Sequence, residues 1–393
     1  MQSIRLLDVY LPPGYDGDDT EIRYPVIYYL HGGMADETSN PELITTLDAL
    51  IADGEIEPVI VAKPNGNCAV YGGLSWYTTS EVNGDYETWL TQELPTYIES
   101  SFNASTDAAK RSIMGFSMGG FGAVMLALKY PDVYAAVASH SGALDLHAYL
   151  ARYIPSVLQE NGGSGPYSPD AGLYTRFMFG CSAAWSPNPT AEPEPVDFPL
   201  DNEGNPIPEV IARWNLHNPA ELVHQYPEGG YPSLYFDCGT SDGMFTMSEA
   251  FEDTLVALGL PYHYETYPGN HTSLPQRFPI SLAYLDSLMH PVEDAVPHSG
   301  DDDLPRPFHV QPCHPNPFNA MTRVCVELDH AQTVRMELFD VLGRSVAVMT
   351  DGWLQQGKSE FLLDGHQLAS GVYLLRTNCG REVVDLQRVV LLR

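Results

Sequence analysis

The feature that most restricts the fold of this chain is a serine with glycines two positions before and two after it. Gly115-Phe-Ser117-Met-Gly119 follows a short apolar run, Ser112–Gly115, and opens a helical pattern, Met118–Tyr130. A strand that passes into a helix within so few residues needs a very tight turn, and glycines let the two backbones approach without Cβ clashes. The pattern therefore predicts that the Ser117 hydroxyl is exposed above the edge of a sheet.

Residues 1–290 alternate between strand-like and helix-like segments. Seven short apolar runs are predicted as strands: Ile4–Leu11, Pro25–Leu30, Pro58–Ala62, Ser112–Gly115, Tyr134–Ser139, Ser233–Phe236 and Tyr262–Tyr267. Four segments have helical apolar spacing: Tyr86–Phe102, Met118–Tyr130, Thr246–Leu258 and Arg277–Met289. This alternation predicts an α/β fold, with a doubly wound, mostly parallel sheet and helices on both of its faces.

Residues 144–220 interrupt the alternation. They are rich in Gly, Pro, Ser and aromatic residues, and Ser186–Pro208 consists mostly of Pro, Asn, Asp and Glu. A connection of this length without regular structure usually has a function or is disordered. We expect an insertion that lies over one end of the sheet, above the serine.

A change of composition after residue 290 predicts a second domain. Residues 291–307 are acidic and proline-rich, which is typical of a linker. Beyond them, short alternating segments are separated by turn residues at about the 8 to 12-residue interval of β-sandwiches. The predicted domains are an α/β domain over 1–290 and a small all-β sandwich over 308–393.

The charge of the chain argues against two classes of partner. Its 393 residues include 19 Lys and Arg against 51 Asp and Glu, a formal charge of −32. Because such a surface repels phosphate backbones and anionic lipids, we expect no nucleic-acid partner and no membrane-surface role. No apolar run reaches the ~20 residues of a membrane span, and no signal-peptide pattern is visible at the N-terminus.

No pattern indicates a metal or another cofactor. The six cysteines form no Cys-x-x-Cys pair and have no metal-type spacing with histidine, so no disulfide pairing is favoured either. The acidic stretches Asp301–Asp303 and Glu192–Glu203 lack the regular spacing of a calcium loop and fit a solvated surface better.

A nucleophilic serine needs an orienting carboxylate and a base, which in this strand–turn–helix setting follow it in that order. Asp237 and Asp242 both come after the strand Ser233–Phe236. We favour Asp242, because from the turn before the next helix its side chain can point back over the sheet. Asp237, at the end of the strand, is the less favoured candidate for the acid. The structural interpretation of Asp237 is that its side chain caps or braces the loop.

The predicted base is His271, in the loop that follows the strand Tyr262–Tyr267. Its place in an ordered set of serine, acid and histidine distinguishes it from other histidines. His263 lies inside the strand and is better explained as structural. His140 is placed to line the site but precedes the acid in chain order.

Backbone amides are the predicted oxyanion donors. One belongs to Met118, directly after the serine, and the other to Gly33, in the loop after the strand Pro25–Leu30; the amide of Met34 is the next candidate. Five residues are predicted to line the substrate groove: His31, Met34, Trp76, Tyr77 and His140. The alternative for His31 is that its side chain braces its own loop. The alternative for Trp76 and Tyr77 is that their rings belong to the core.

These motifs together resemble a known family. Leu11-Pro-Pro-Gly-Tyr15, Tyr24–Gly33, Gly115-Phe-Ser-Met-Gly-Gly120, Asp237-Cys-Gly-Thr-Ser-Asp242 and Gly269-Asn-His271 occur in the order found in the α/β-hydrolase family of esterase D-like S-formylglutathione hydrolases, feruloyl and acetylxylan esterases and mycolyltransferases. The resemblance covers about residues 4–290. It implies Ser117 as nucleophile, His271 as base, Asp242 as acid, and oxyanion amides at Gly33 and Met118.

The tail resembles a second kind of module. Pro315-Asn-Pro-Phe-Asn319, Phe339–Arg344 and Ser370–Arg376 are similar to segments of the C-terminal sorting and flagellar hook-capping-like Ig modules of secreted bacterial proteins. The resemblance implies export, often by the type IX route, and in some proteins attachment to the cell surface. We therefore expect a secreted or surface protein whose signal peptide has been removed.

The expected function is that of a secreted serine esterase that needs no cofactor. Its expected substrates are feruloyl or acetyl esters of plant polysaccharide, or related aromatic polyesters. One alternative is acyl transfer to a sugar or lipid alcohol, which the same residues would catalyse. Cytosolic thioester hydrolysis is disfavoured by the export-type tail. An alternative of another class is a non-catalytic binding or adhesion protein on a hydrolase scaffold, against which the complete serine, acid and histidine set argues.

Overall fold

The computed structural model describes residues 5–19, 21–226, 231–290, 308–340, 344–379 and 382–392. It divides into two compact units, which are described separately below: one comprises residues 1–54 and 58–281, the other 55–57 and 282–393. The predicted linker over 291–307 lies outside the described residues. The domain boundaries proposed from composition stay a prediction.

A mostly parallel sheet forms the centre of the first unit. Among its described residues, seven strands lie in the order β1-β3-β2-β4-β5-β6-β7, and β1 runs antiparallel to β3 while the other neighbours are parallel. The strands are β1 Leu7–Tyr10, β2 Val26–Leu30, β3 Ile60–Pro64, β4 Arg111–Phe116, β5 Ala136–His140, β6 Ser233–Gly239 and β7 His263–Tyr267. All five residues of β2 and of β5 are buried, so both faces of the sheet are covered there, as predicted.

Helices follow most strands of this sheet. They are α1 Pro41–Ala52, α2 Tyr86–Thr88, α3 Leu94–Ser101, α4 Met118–Lys129, α5 Leu146–Glu160, α6 Leu173–Trp185, α7 Pro208–Asn215, α8 Pro219–Leu222, α9 Phe245–Leu258 and α10 Phe278–Met289. A π-helical turn, Trp89–Glu93, joins α2 to α3, and short 3-10 turns lie at Ala108–Lys110, Val223–Gln225 and Pro275–Arg277. Helix α4 is buried from Met118 to Leu128, which makes it the most enclosed element beside the sheet.

The expectation that 144–220 lacks regular structure is wrong. This segment contains α5, α6, α7 and the start of α8, and irregular backbone predominates over 161–172 and 186–207. Its helices join the main core, where Trp185 packs on Trp76, Phe121 and Trp214 with ring centroids 4.9, 5.1 and 4.9 Å apart. Burial of these rings stabilises helices that are not predictable from the local Gly- and Pro-rich sequence.

The second unit contains two antiparallel sheets. In its described part, one sheet has the order β11-β10-β13-β14 and the other β12-β9-β8. The strands are β8 Phe308–His314, β9 Met321–Leu328, β10 Gln332–Asp340, β11 Ser345–Leu354, β12 Gly357–Asp364, β13 Gly371–Cys379 and β14 Glu382–Leu391. Buried side chains alternate along β9, and a cluster with members from both sheets, such as Val326, Met336 and Leu375, forms a separate core. This is the sandwich arrangement that the sequence predicts.

None of the helices in the described ranges combines the length and the apolar character that crossing a membrane requires.

Candidate active site

Ser117 occupies the turn between β4 and α4. Its backbone has φ 56° and ψ −116°, a combination that is strained for a residue with a side chain. The Ser117 N–H donates to the carbonyl oxygen of His140, 2.9 Å away, which ties the turn to the end of β5. The strained backbone lifts the hydroxyl off the end of β4, as the glycine pattern predicts.

The flanking glycines are required by close approach of the backbone. A Cβ at Gly119 would lie 1.9 Å from the carbonyl oxygen of Leu30 in β2, and a Cβ at Gly115 would lie 2.3 Å from the carbonyl oxygen of Gly119. Real Cβ atoms do not approach backbone atoms so closely, so neither position accepts a side chain without movement of the turn.

The turn brings three of the predicted residues together in a hydrogen-bonded chain. His271 Nε2 lies 3.0 Å from Ser117 Oγ, and His271 Nδ1 lies 2.9 Å from Asp242 Oδ2. His271 stands in the loop after β7, and Asp242 stands in the turn between β6 and α9. The Asp242 side chain is buried, whereas 39% of the His271 side chain is exposed, which leaves the serine end of the chain open to solvent.

The surroundings of Asp242 favour its ionised form. Burial alone would raise the pKa of this carboxyl group, but hydrogen bonds from His271, from the Met244 N–H 2.9 Å away and from Ser141 hold the pKa below its usual value. A carboxylate at this position accepts the Nδ1–H of His271 and so leaves the Nε2 lone pair directed at the serine hydroxyl.

The backbone amides of Gly33 and Met118 belong to the two segments next to Ser117, the loop after β2 and the first turn of α4. Gly32 is close enough to the serine that a Cβ on it would be 3.4 Å from Ser117 Cβ, so the loop after β2 borders the hydroxyl. Within the described residues, neither the Gly33 N–H nor the Met118 N–H has a hydrogen-bond acceptor. Met34 is 69% exposed, with a left-handed backbone at φ 61°. The loop and the first turn of α4 therefore present free donors beside Ser117.

The two histidines predicted to line the groove are engaged elsewhere. In His31, which is buried, Nδ1 lies 2.8 Å from the Gly32 carbonyl oxygen and Nε2 accepts the Gly66 N–H at 2.8 Å. In His140, also buried, Nδ1 contacts Asp237 and Nε2 contacts Ser281. The His31 ring thus braces two backbone segments and the His140 ring joins two side chains, so neither ring has a nitrogen left for a ligand.

Trp76 and Tyr77 belong to the core, which corrects the expectation that they line the groove. Trp76 is 4% exposed and its ring contacts Phe121 and Trp185, while Tyr77 is fully buried. The Tyr77 ring fills the space that a Cβ on Gly122 would need, and its hydroxyl donates to the His31 carbonyl oxygen at 2.9 Å. These rings therefore pack against α4, and the Tyr77 hydroxyl stabilises the loop after β2.

Other aromatic residues, not predicted as site residues, lie near the chain of hydrogen bonds. The Phe116 ring is 4.7 Å from the His271 ring. The Tyr153 hydroxyl of α5 would be 3.8 Å from a Cβ on Gly243, the residue after Asp242. The aromatic content of 144–220 was the available signal for Tyr153, but no local pattern distinguishes it from the other rings there.

No group of three or more His, Cys, Asp or Glu side chains in the described ranges has a geometry that would hold a metal ion.

The fold and the placement of these residues define a class of protein. A parallel sheet with a strained serine between β4 and α4, a carboxylate after β6 and a histidine after β7 is an α/β-hydrolase domain. Comparison with known proteins agrees with this. Residues 1–278 match the family model described as "Putative esterase", and residues 313–391 match "Secretion system C-terminal sorting domain". The chain belongs to that esterase family and carries a sorting domain at its C-terminal end.

Two curated relatives resemble parts of the chain. Esterase Rv1288 of Mycobacterium tuberculosis is 25% identical over 295 residues, which cover 72% of this chain and 56% of the relative. The endo-1,4-beta-xylanase/feruloyl esterase of Xylanibacter ruminicola is 35% identical over 134 residues, which cover 32% of this chain and 18% of the relative. The match thus spans little more than half of the first relative and a small part of the second.

Among solved structures, a ferulic acid esterase has a TM-score of 0.52 and 20% identity, with 72% of this chain and 92% of that chain covered. At this identity the likeness concerns the fold, and it confirms the predicted α/β-hydrolase architecture.

Proposed function

We propose that this protein is a secreted serine carboxylic-ester hydrolase that acts through an acyl-enzyme. Ser117 is the nucleophile, His271 the general base and Asp242 the group that orients and stabilises the imidazolium. The observation that carries the proposal is the continuous hydrogen-bonded chain from Ser117 Oγ through His271 to Asp242, with contacts of 3.0 and 2.9 Å. Such contacts are within the reach that nucleophile activation requires.

In the acylation step, Ser117 Oγ attacks the ester carbonyl carbon while His271 Nε2 takes the hydroxyl proton. The negative charge that develops on the carbonyl oxygen is stabilised by the amides of Gly33 and Met118. The Asp242 carboxylate keeps the Nδ1–H in place and stabilises the positive ring. The ring then gives its proton to the leaving alcohol, and the acyl group stays on Ser117.

In the deacylation step, water replaces the alcohol. His271 removes a proton from the water, the resulting nucleophile attacks the acyl carbon, and the acid is released as Ser117 recovers its proton. Every proton in this cycle moves between the substrate, water, Ser117 and His271, so the chemistry requires no metal or organic cofactor.

The proposed substrates are feruloyl or acetyl esters of plant polysaccharide, or related aromatic polyesters. The support comes from a tyrosine stack beside the acid loop: Tyr153 packs on Tyr149 at 4.8 Å and on Tyr174 at 5.5 Å between centroids. Tyr174 is 40% exposed, so the stack reaches the surface. Flat apolar rings of this kind support the aromatic acyl groups among these substrates, and they favour a feruloyl ester over an acetyl ester.

Secretion, or display on the cell surface of a bacterium, is the proposed location. The match of residues 313–391 to a secretion-system sorting domain supports it. A polymer outside the cell is the kind of substrate that an exported esterase would meet.

The test is ester hydrolysis by the parent and by Ser117→Ala, with p-nitrophenyl acetate, p-nitrophenyl butyrate and methyl ferulate. We expect the parent to turn over all three and Ser117→Ala to lose about 10⁴-fold or more in kcat, because no other group replaces the nucleophile. Ser100→Ala, at an exposed position of α3, is the matched control and keeps the parent rate. Equal rates for parent and Ser117→Ala would overturn the proposal.

A further inference from the structure

A second chain of carboxylate, imidazole and hydroxyl groups lies buried below the site. His140 Nδ1 is 3.0 Å from Asp237 Oδ1, and His140 Nε2 is 3.0 Å from Ser281 Oγ. The order of groups is the same as in the chain from Asp242 to Ser117. All three side chains are shielded from solvent, however, so no substrate reaches Ser281. Any effect of these three groups on the reaction at Ser117 must therefore pass through the structure around them.

Asp237 is the centre of this buried network. Its Oδ2 accepts the Arg277 Nε–H at 2.8 Å and the Tyr235 hydroxyl at 2.7 Å. Burial alone would raise the pKa of Asp237, but interaction with His140 and Arg277 holds the pKa below its usual value. Arg277 also pairs with Glu265 of β7 and stacks over the Tyr267 ring at 4.6 Å.

The network is joined to the site through the backbone of its own members. The carbonyl oxygen of His140 accepts the Ser117 N–H at 2.9 Å, and the carbonyl oxygen of Asp237 accepts the Ser141 N–H at 2.8 Å. Ser117 and Ser141 both have positive φ, 56° and 50°, so each is held in a conformation that it would not adopt alone. The surrounding structure must therefore impose both turns.

We propose that Asp237, together with His140 and Arg277, is a positioning group for the hydrolytic reaction: it fixes the ends of β5, β6 and β7 and thereby the orientation of Ser117 towards His271. The inference rests on the function proposed above. The Ser117 N–H is held by the His140 carbonyl oxygen, and Asp242 and His271 follow β6 and β7, the strands that carry Asp237 and Glu265. A displacement of about 1 Å in such a site can cost about 100-fold in rate.

A positioning role predicts a loss of rate, whereas a purely structural role predicts only a loss of stability. A second buried ion pair in the protein serves as a control that distinguishes the two roles. Glu87 is buried and pairs with Lys129 at 2.7 Å. Lys129 ends α4, whereas Ser117 precedes its first residue, so this pair is separated from the serine by the length of the helix, about 18 Å at 1.5 Å per residue. Loss of either buried charge should destabilise the fold, but only loss of Asp237 should disturb the site.

The experiment compares Asp237→Asn, Ser281→Ala and Glu87→Gln with the parent. The first readout is the rate of labelling by an alkyl fluorophosphonate, in which the Ser117 oxygen bonds to phosphorus, fluoride leaves and His271 takes the hydroxyl proton. This reaction does not depend on the identity of the natural ester. The second readout is kcat and KM for p-nitrophenyl acetate, and the third is Tm.

We expect Asp237→Asn to lower both the labelling rate and kcat by about 10-fold or more, with KM within about 2-fold. Glu87→Gln should lower Tm but keep both rates within about 2-fold. Labelling of Asp237→Asn at the parent rate overturns the inference, and so does an equal loss of rate in Glu87→Gln. If Asp237→Asn does not fold, Ser281→Ala is decisive: a folded variant with the parent labelling rate overturns the inference, and a loss of about 3-fold or more supports it.

The parent protein separates this inference from the function on which it rests. Failure of the parent to be labelled at Ser117 would refute the proposed nucleophile itself. A parent that is labelled but hydrolyses none of the esters would leave the nucleophile intact and refute only the proposed substrates.

Discussion

Asp237 and Asp242 are five positions apart, one near the end of β6 and the other in the turn after it, yet they have different partners. Asp237 contacts His140 and Arg277 in the interior, whereas Asp242 contacts the half-exposed His271. The difference follows from their place in the chain: Asp237 is still within β6, which is buried from Leu234 to Gly239, while Asp242 lies in the turn after the strand. At this scale, one carboxylate is suited to chemistry and the other to support.

The substitution Asp242→Asn tests the role of the carboxylate that contacts His271. The amide can still accept the Met244 N–H, so we expect the fold to be kept. It no longer holds His271 with Nδ1 protonated, however, and kcat for p-nitrophenyl acetate should fall roughly 10³- to 10⁴-fold. Steady-state rates and Tm check this, with Asp170→Asn, at a position 93% exposed, as the control. Retention of more than about a tenth of the activity would contradict the role given to Asp242.

Residue chemistry and spacing were sufficient to predict which serine, acid and histidine come together, but not which aromatic rings face the groove. Large aromatic residues such as Trp76 and Tyr77 suit a core and a substrate pocket equally well, so residue type alone does not distinguish the two locations. What decides their place is the space left by glycines distant in sequence: a Cβ on Gly66 or on Gly122 would overlap the Tyr77 ring. Such complementarity exists only after folding, so a local pattern does not contain it.

At the scale of elements, the strands of the first unit were predictable and some of the helices were not. All seven strands lie at or within a few residues of the predicted runs. Those that are buried and parallel, such as β2 and β5, are short and mostly apolar, which is the pattern that made them predictable. Helix α1 was missed, although Leu43, Leu47 and Leu50 have helical spacing and are buried. The helices within 144–220 depend on contacts with the main core, which outweigh their poor local propensity.

One of those helices is predicted to set the preference for the acyl group. Replacement of Tyr153 by Leu removes a ring beside the acid loop but keeps an apolar side chain on α5. We expect kcat/KM for methyl ferulate to fall about 3- to 10-fold relative to p-nitrophenyl acetate, the range of an aromatic contact. The ratio of the two substrates is its own control for effects on the catalytic residues. An unchanged ratio would show that the tyrosine stack does not contact the acyl group.

A histidine between elements is predicted to make stability depend on pH. His217 follows α7, and its Nδ1 lies 4.0 Å from Oε1 of Glu87. Glu87 in turn pairs with Lys129, the last residue of α4. Burial, assisted by the charge of Lys129 and opposed by that of Glu87, lowers the pKa of His217 to about 4. An unfolded histidine has a pKa of about 6.5, so between these values the unfolded chain binds a proton that the folded chain does not. Stability should therefore be lost as the pH falls from about 6.5 towards 4.

Substitution of this histidine by asparagine should remove that dependence. From pH 7 to pH 5, the free energy of unfolding of the parent should fall by about 2 kcal/mol more than that of His217→Asn. Urea unfolding at the two pH values measures the difference. His147→Asn serves as the control, because the His147 side chain is 49% exposed. A parent and a His217→Asn variant with the same pH dependence would show that His217 is protonated as easily in the folded protein as in the unfolded chain.

At the scale of the whole molecule, the chain combines two modules of different character. Residues 308–393 contain 8 basic and 9 acidic residues, whereas the remaining 307 residues contain 11 and 42. The two family matches fall on opposite sides of this change, at 1–278 and 313–391. Each of the two units also has a hydrophobic core of its own. Composition alone was enough to predict this division, because charge content is a property of the sequence and does not depend on contacts.

The division predicts that hydrolysis and sorting are separable functions. A chain that stops after residue 307 retains Ser117, Asp242, His271 and the two amides proposed as oxyanion donors, together with the core of the first unit. We expect its kcat/KM for p-nitrophenyl acetate to stay within about 2-fold of the full chain, since a separate domain contributes no group to the reaction. The matched fragment, residues 308–393, should fold and show no hydrolysis. Loss of activity in a folded 1–307 chain would show that the C-terminal module contributes to the site, and the protein would then have to be treated as one functional unit.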